Sequence, residues 1–178
     1  METAVSPKIP LPSDAELSAE AREILAALPP LNVFRMMANA PASFKPLVEF
    51  ATSVLFGSLL DPRKREIAIL RVAHVTGSEY EWVQHVAVSK HAGLADAEIA
   101  AIRVPGPVTG LDEESRLLCR VADEISRDVR LSDEALQQIL DRYGVRQATE
   151  LILCCGYFNM LSRFLESTRV ELESTPVL

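Results

Sequence analysis

Glu66, Ser78, Glu81 and His85 stand close together in residues 62–94, and their types and spacing suit proton chemistry. Glu66 has Ile69, Leu70 and Ala73 at i+3, i+4 and i+7, so its carboxyl lies on or beside the apolar stripe of a helix. A carboxylate buried there without a partner is pushed toward neutral pKa and becomes a better proton carrier. The structural alternative is a boundary glutamate that reaches solvent or pairs with Arg63 or Arg65. Ser78 and Glu81 spell Ser-x-x-Glu at a helix start, which reads as a capping box at the positive end of that helix. An anionic substrate group is also favoured at such an end. His85 follows one turn after Glu81, and it is either an acid/base group or a packed or surface imidazole. His74 and His91 lack ligand spacing to His85 and no His-Glu-x-x-His occurs, so no metal is expected.

Two helices must position these groups. Asp61-Pro62 is a start signal, an N-cap acid followed by proline in the first turn, and the helix it opens runs to about Thr76. Gly77 ends it. A second helix runs from Ser78 to about Ala92, with Gly93 just past its end, so the pair forms an antiparallel hairpin. Elsewhere the periodicity predicts helices over 18–28, 32–39, 41–58, 96–102 and 112–129, one capped by Ser132, and a last one over 146–170. No β-branched alternation sits between hairpin turns. The expected fold is all-α, a single-domain multi-helix bundle over residues 15–178, preceded by a proline-bearing arm, 1–14.

Composition narrows the function classes. The 178 residues carry a net charge of −7, with 48% hydrophobic and only 6% aromatic side chains. An acidic chain with no basic stripe is a poor nucleic-acid ligand. No stretch approaches the roughly 18 apolar residues of a membrane span, and Met1–Pro12 lacks the apolar core of a signal peptide. The three cysteines, Cys119, Cys154 and Cys155, form no Cys-x-x-Cys pair and read as small core residues of a protein in a reducing, cytoplasmic compartment.

The block that begins at Glu66 resembles a known signature. Glutamate, eleven residues, then Cys-x-x-Cys-x-x-x-His marks the alkyl hydroperoxidase D-like proteins. Here Glu66 matches the glutamate and His85 the histidine, while Ser78 and Glu81 stand where the two cysteines would be. The run from Gly77 to His85, followed by Ala92-Gly93-Leu94, resembles the cysteine-free, carboxymuconolactone decarboxylase-like branch of that superfamily. The run Gly156–Arg163 is similar to the family's last helix, and the resemblance extends over roughly residues 30–172. It implies an all-α fold that assembles as a homo-oligomer, a trimer or a hexamer built from trimers.

The departure from the signature decides the chemistry expected. A thiol peroxidase needs a thiolate nucleophile and a resolving thiol, which Ser78 and Glu81 cannot supply. What the resemblance leaves is cofactor-independent decarboxylation, ring opening or isomerisation of a small carboxylate or lactone. In that reading His85 is the principal acid/base and Glu66 orients it or shares its proton, with Tyr80 as an auxiliary donor. Glu81 tunes His85 from one turn away. Arg71 or Arg163 pairs with a substrate carboxylate, unless Arg163 instead pairs with Glu166 or Glu150. Asn159 and Arg163, at i and i+4, line either the pocket or a subunit interface. Phe34, Met36, Met37, Phe50 and Trp82 are candidates to shape the pocket. A peroxidase-like antioxidant protein and a catalytically silent helical oligomer remain the alternatives.

Overall fold

The computed structural model describes residues 8–174, and all the regular structure among them is helical. Eight helices follow in order: α1 (Ala19–Ala26), α2 (Asn32–Met37), α3 (Pro41–Phe56), α4 (Pro62–Thr76), α5 (Glu79–His91), α6 (Asp96–Ile102), α7 (Glu113–Asp128) and α8 (Asp133–Thr168). They fall into two compact units. Of the described residues, one unit comprises 8–50 together with 164–174, and the other comprises Ala51–Arg163. Residues 1–7 of the expected arm lie outside the described residues.

In the first unit, residues 8–12 lie along the protein through their main chain. The Ile9 N–H donates to the Thr168 carbonyl at 3.1 Å, and Asn39 and Arg35 donate to the carbonyls of Pro10 and Pro12. Lys8 pairs with Glu171. Proline-rich backbone has few donors of its own, so its carbonyls are satisfied by side chains here.

The second unit is organised around α4. Asp61 caps it, accepting from the N–H groups of Arg63 and Lys64 at 3.0 and 3.3 Å, with Pro62 in the first turn where a missing N–H costs nothing. Every residue from Arg65 to Ala73 is buried. A helix buried on all sides is the centre of its unit, and α4 packs against α5, α6 and α7. Gly77 ends α4 at φ 74°, in the left-handed region that glycine enters without penalty. That tight turn sends α5 back along α4, which brings Glu66 near the start of α4 opposite His85 in α5.

The helix boundaries fall within two residues of the expected ones, apart from the long C-terminal segment. The two helices expected there are the two arms of α8, which the non-helical backbone of Gly144 (φ 69°, ψ 174°) separates at a kink. The break lies where the sequence changes from one periodic run to the next. The second run starts directly at the kink, because a single glycine suffices to redirect the chain.

Candidate functional site

Glu66 and His85 meet. Nδ1 of His85 lies 2.7 Å from Oε2 of Glu66, whose side chain is 0% exposed, while that of His85 is 13% exposed. The ring of Phe158 meets the imidazole edge-on, with centroids 4.9 Å apart, and fixes its plane. A carboxylate is an acceptor, so in the neutral imidazole the Nδ1 proton points at Glu66 and Nε2 holds the lone pair. Nε2 is the nitrogen left to exchange a proton with another molecule.

The second oxygen of Glu66 has a different neighbour. Oε1 makes no hydrogen bond, and its nearest cation is Nε of Arg65 at 3.7 Å, beyond hydrogen-bonding distance. Arg65, with only 8% of its side chain exposed, also leaves Nε without a partner. Both residues line a hollow of about 680 Å³ whose walls include Leu55, Leu59, Leu60 and Val88. A larger hollow, about 820 Å³, lies along α7 and the first part of α8, with ion-paired residues such as Arg120, Glu124 and Arg142 in its walls. It is lined by no buried polar atom lacking a partner among the described residues.

Ser78 and Glu81 do not form the expected capping box. Ser78 is the N-cap of α5, but its hydroxyl makes no capping bond and is buried without a partner. Glu81 is buried rather than turned back to the helix start, and one oxygen accepts from the Ser162 hydroxyl of α8. Ser162 in turn accepts from Thr76 at 2.9 Å. Ser162 lies 81 residues from Glu81 in the chain, and this distant hydroxyl offers the carboxyl a donor inside the core. The local rule therefore yields to a tertiary contact.

The other candidates separate. Arg71 is 0% exposed and not available to a substrate. Nε and one Nη pair with the two oxygens of Asp123 at 2.7 and 2.9 Å, and the remaining N–H groups donate to the carbonyls of Ile102, Val104 and Gly106. All five donors are used to fasten the 102–106 loop to α4 and α7, a structural role that the helical spacing did not reveal. Arg163 pairs with neither Glu166 nor Glu150. It donates within its own helix to the carbonyl and side-chain oxygen of Asn159, both at 2.7 Å, while Asn159 donates to Ser126 and to the Cys155 carbonyl. Glu150 is taken by Ser58, Leu59, Leu60 and Arg146.

Tyr80 and Trp82 are buried on α5, and the Trp82 indole lies under the Arg103 guanidinium at 4.7 Å, with His74 at its edge. None of Phe34, Met36, Met37, Phe50 and Trp82 lines the hollow beside Glu66. The residue missed by sequence reasoning is Arg65. Helical spacing marks it only as a possible partner of Glu66, because its burial depends on α4 being enclosed on every side.

All three cysteines are buried and free. Burial pushes the thiols of Cys119 and Cys155 up to about 12. For Cys154 burial raises the thiol well above its usual range, with Cys155 and Glu66 adding to the effect. Among the described residues no group of three or more histidine, cysteine or acidic side chains is arranged to hold a metal, and no helix is long and apolar enough to cross a membrane.

The family model of the carboxymuconolactone decarboxylase family matches residues 41–124, which contain both Glu66 and His85. Solved structures share the fold across the chain. An uncharacterised peroxidase-related protein from Ralstonia eutropha JMP134, with an alkylhydroperoxidase AhpD core, superposes with a TM-score of 0.81 at 14% identity, covering 96% of this chain and 95% of that one. One from Silicibacter sp. TM1040, also an uncharacterised peroxidase-related protein, gives 0.78 at 17% identity, covering 98% and 96%. A protein of unknown function from Agrobacterium tumefaciens, likened to the antioxidant defence protein AhpD, gives 0.64 at 21% identity, covering 76% and 93%. No curated protein matches the chain.

Proposed function

We propose, for a chain that belongs to the carboxymuconolactone decarboxylase and alkyl hydroperoxidase D superfamily, a cofactor-independent acid/base activity on a small carboxylate or lactone. The observation that supports this reading is the 2.7 Å contact between His85 Nδ1 and a Glu66 carboxyl without solvent exposure. Glu66 fixes the tautomer and orientation of the imidazole and stabilises the imidazolium once it forms. Nε2 then takes a proton from substrate or returns one.

In a decarboxylation, the bond between the departing carboxylate and the ring carbon breaks. Its electron pair passes into the conjugated lactone, carbon dioxide leaves, and the imidazolium delivers a proton to carbon. In ring opening or isomerisation the same nitrogen first acts as base. Acid/base assistance of this kind contributes about 10²–10⁴-fold to a rate. The protein is further proposed to work as a homo-oligomer, a trimer or hexamer, which light scattering would measure. Tyr80 remains proposed as an auxiliary donor.

The test is turnover of a panel of lactones and β-keto acids by the wild type, His85→Ala and Glu66→Gln. The expected result is conversion of at least one compound, with either substitution reducing it by about 10²-fold or more. If nothing is converted and neither substitution alters ligand binding, the silent-oligomer reading replaces this one. A peroxidase reading is disfavoured by the cysteines. With the three thiols buried and their pKa values raised, little thiolate is present at neutral pH to attack a peroxide. Robust, cysteine-dependent peroxide consumption with a dithiol donor would restore it.

A further inference from the structure

Two arginines six residues apart on α4 are treated in opposite ways. Arg71 is fully buried and all of its N–H groups have acceptors. Arg65 is nearly as deep, yet its Nε is buried with no hydrogen-bond partner among the described residues, and its one ion-pair neighbour, Glu66, stands 3.7 Å away. A guanidinium does not deprotonate in a protein, so its charge persists, and burying it without acceptors carries a large desolvation cost. Such an arrangement is stable when something outside the fold supplies the acceptors.

The surroundings indicate what that is. Arg65 lines the hollow of about 680 Å³, and the nearby walls are hydrocarbon from Leu55, Leu59, Leu60 and Val88. The polar groups at its margin are already engaged. Asp61 accepts the capping N–H groups of α4, Ser58 donates to Glu150, and Nδ1 of His91 is bonded to the Ala87 carbonyl. Glu66 has His85 on its other oxygen. The Nε–H of Arg65 is thus a buried donor beside the hollow that no acceptor among the described residues satisfies.

We propose that this hollow binds an amphiphilic carboxylic acid, with Arg65 holding the carboxylate and Leu55, Leu59, Leu60 and Val88 enclosing the hydrocarbon. A planar carboxylate fits the two-pronged donor face of a guanidinium. A singly charged head is favoured over a phosphate dianion, because Glu66 stands beside Arg65 and repels the second charge. The binding claim stands on Arg65 alone. That the bound acid is a substrate rests on the acid/base reading, since Glu66 joins Arg65 to His85.

Calorimetric titration of the full-length protein with hexanoate, hexanol and hexyl phosphate tests the proposal. Hexanoate should bind the wild type about tenfold or more tighter than either comparison ligand, and Arg65→Gln should remove that advantage. Arg65→Lys, which keeps the charge but not the fork, should retain part of it. Hexanoate binding and turnover are measured on the same wild-type and Arg65→Gln proteins, so loss of catalysis and loss of binding are read separately. Equal binding of hexanol, tighter binding of hexyl phosphate, no binding of hexanoate, or undiminished binding by a folded Arg65→Gln protein would each overturn the proposal. The wild-type comparison holds even if the glutamine variant fails to fold.

Discussion

The imidazole of His85 and the carboxyl of Glu66 are joined at 2.7 Å across the hairpin of α4 and α5, although 19 residues separate them in the chain. The turn at Gly77 makes this possible, and the enclosure of α4 keeps the carboxyl dry. Glu66 lines the hollow of about 680 Å³ while His85 stands behind it, outside the lining, and a buried acid–histidine hydrogen bond of this kind suits proton transfer better than it suits a surface ion pair.

Arg71 is expected to be a stability residue. Arg71→Met would leave Asp123 and three carbonyls of the 102–106 loop without their donor. Breaking a buried pair from one side costs about 3–5 kcal/mol. Urea denaturation should show a midpoint shift of that size, whereas exposed Arg163→Met should shift it little.

The cysteines should be almost inert in the native state. With Cys119 and Cys155 pushed up to about 12, thiolate at pH 8 is on the order of one part in 10⁴ before access is considered. Ellman's reagent should therefore react slowly with folded protein, and with all three thiols once it is unfolded. A fast-reacting thiol in the native protein would contradict the burial described.

Asp112 should make stability depend on acid. The Ser115 backbone N–H at 2.9 Å and hydroxyl at 2.7 Å hold its carboxyl below its ordinary value of 3.8, slight burial opposes them, and Arg63 assists. A depressed folded-state value means that the contribution is complete above the ordinary aspartate range and is lost as pH falls through the folded value. Asp112→Ala should cost about 1 kcal/mol at pH 7, as lost N-caps do. The gap from wild type should narrow as pH drops below 3.8, which paired denaturation curves would record.

Gly144 should resist substitution because of its backbone. At φ 69° and ψ 174° it occupies a region open essentially to glycine, and a Cβ there would meet no atom within 4 Å. Gly144→Ala is expected to cost about 1–3 kcal/mol through strain alone. A thermal midpoint unchanged from wild type would contradict this.

Much of the fold was legible because its punctuation is local. Asp61-Pro62, Gly77 and Gly93 carry their boundary signals within a few residues of the helix ends they mark. The Glu66 to His85 spacing was legible for the same reason, because a tight turn sets the partners across a hairpin. Contacts made by distant segments were not. Ser162 takes Glu81 out of a capping box, and Asp123 with the 102–106 loop takes Arg71 out of the substrate-binding set. The isolation of Arg65 has no sequence signal, since whether a buried arginine finds acceptors depends on every neighbour at once.

The most direct test of the dyad is the ¹⁵N–¹H spectrum of the histidine side chains in wild type and Glu66→Gln. The expected result at a pH where His85 is neutral is a proton on Nδ1, shifted downfield by a strong hydrogen bond and altered by the glutamine. A neutral His85 carrying its proton on Nε2, with a spectrum indifferent to residue 66, would contradict the account.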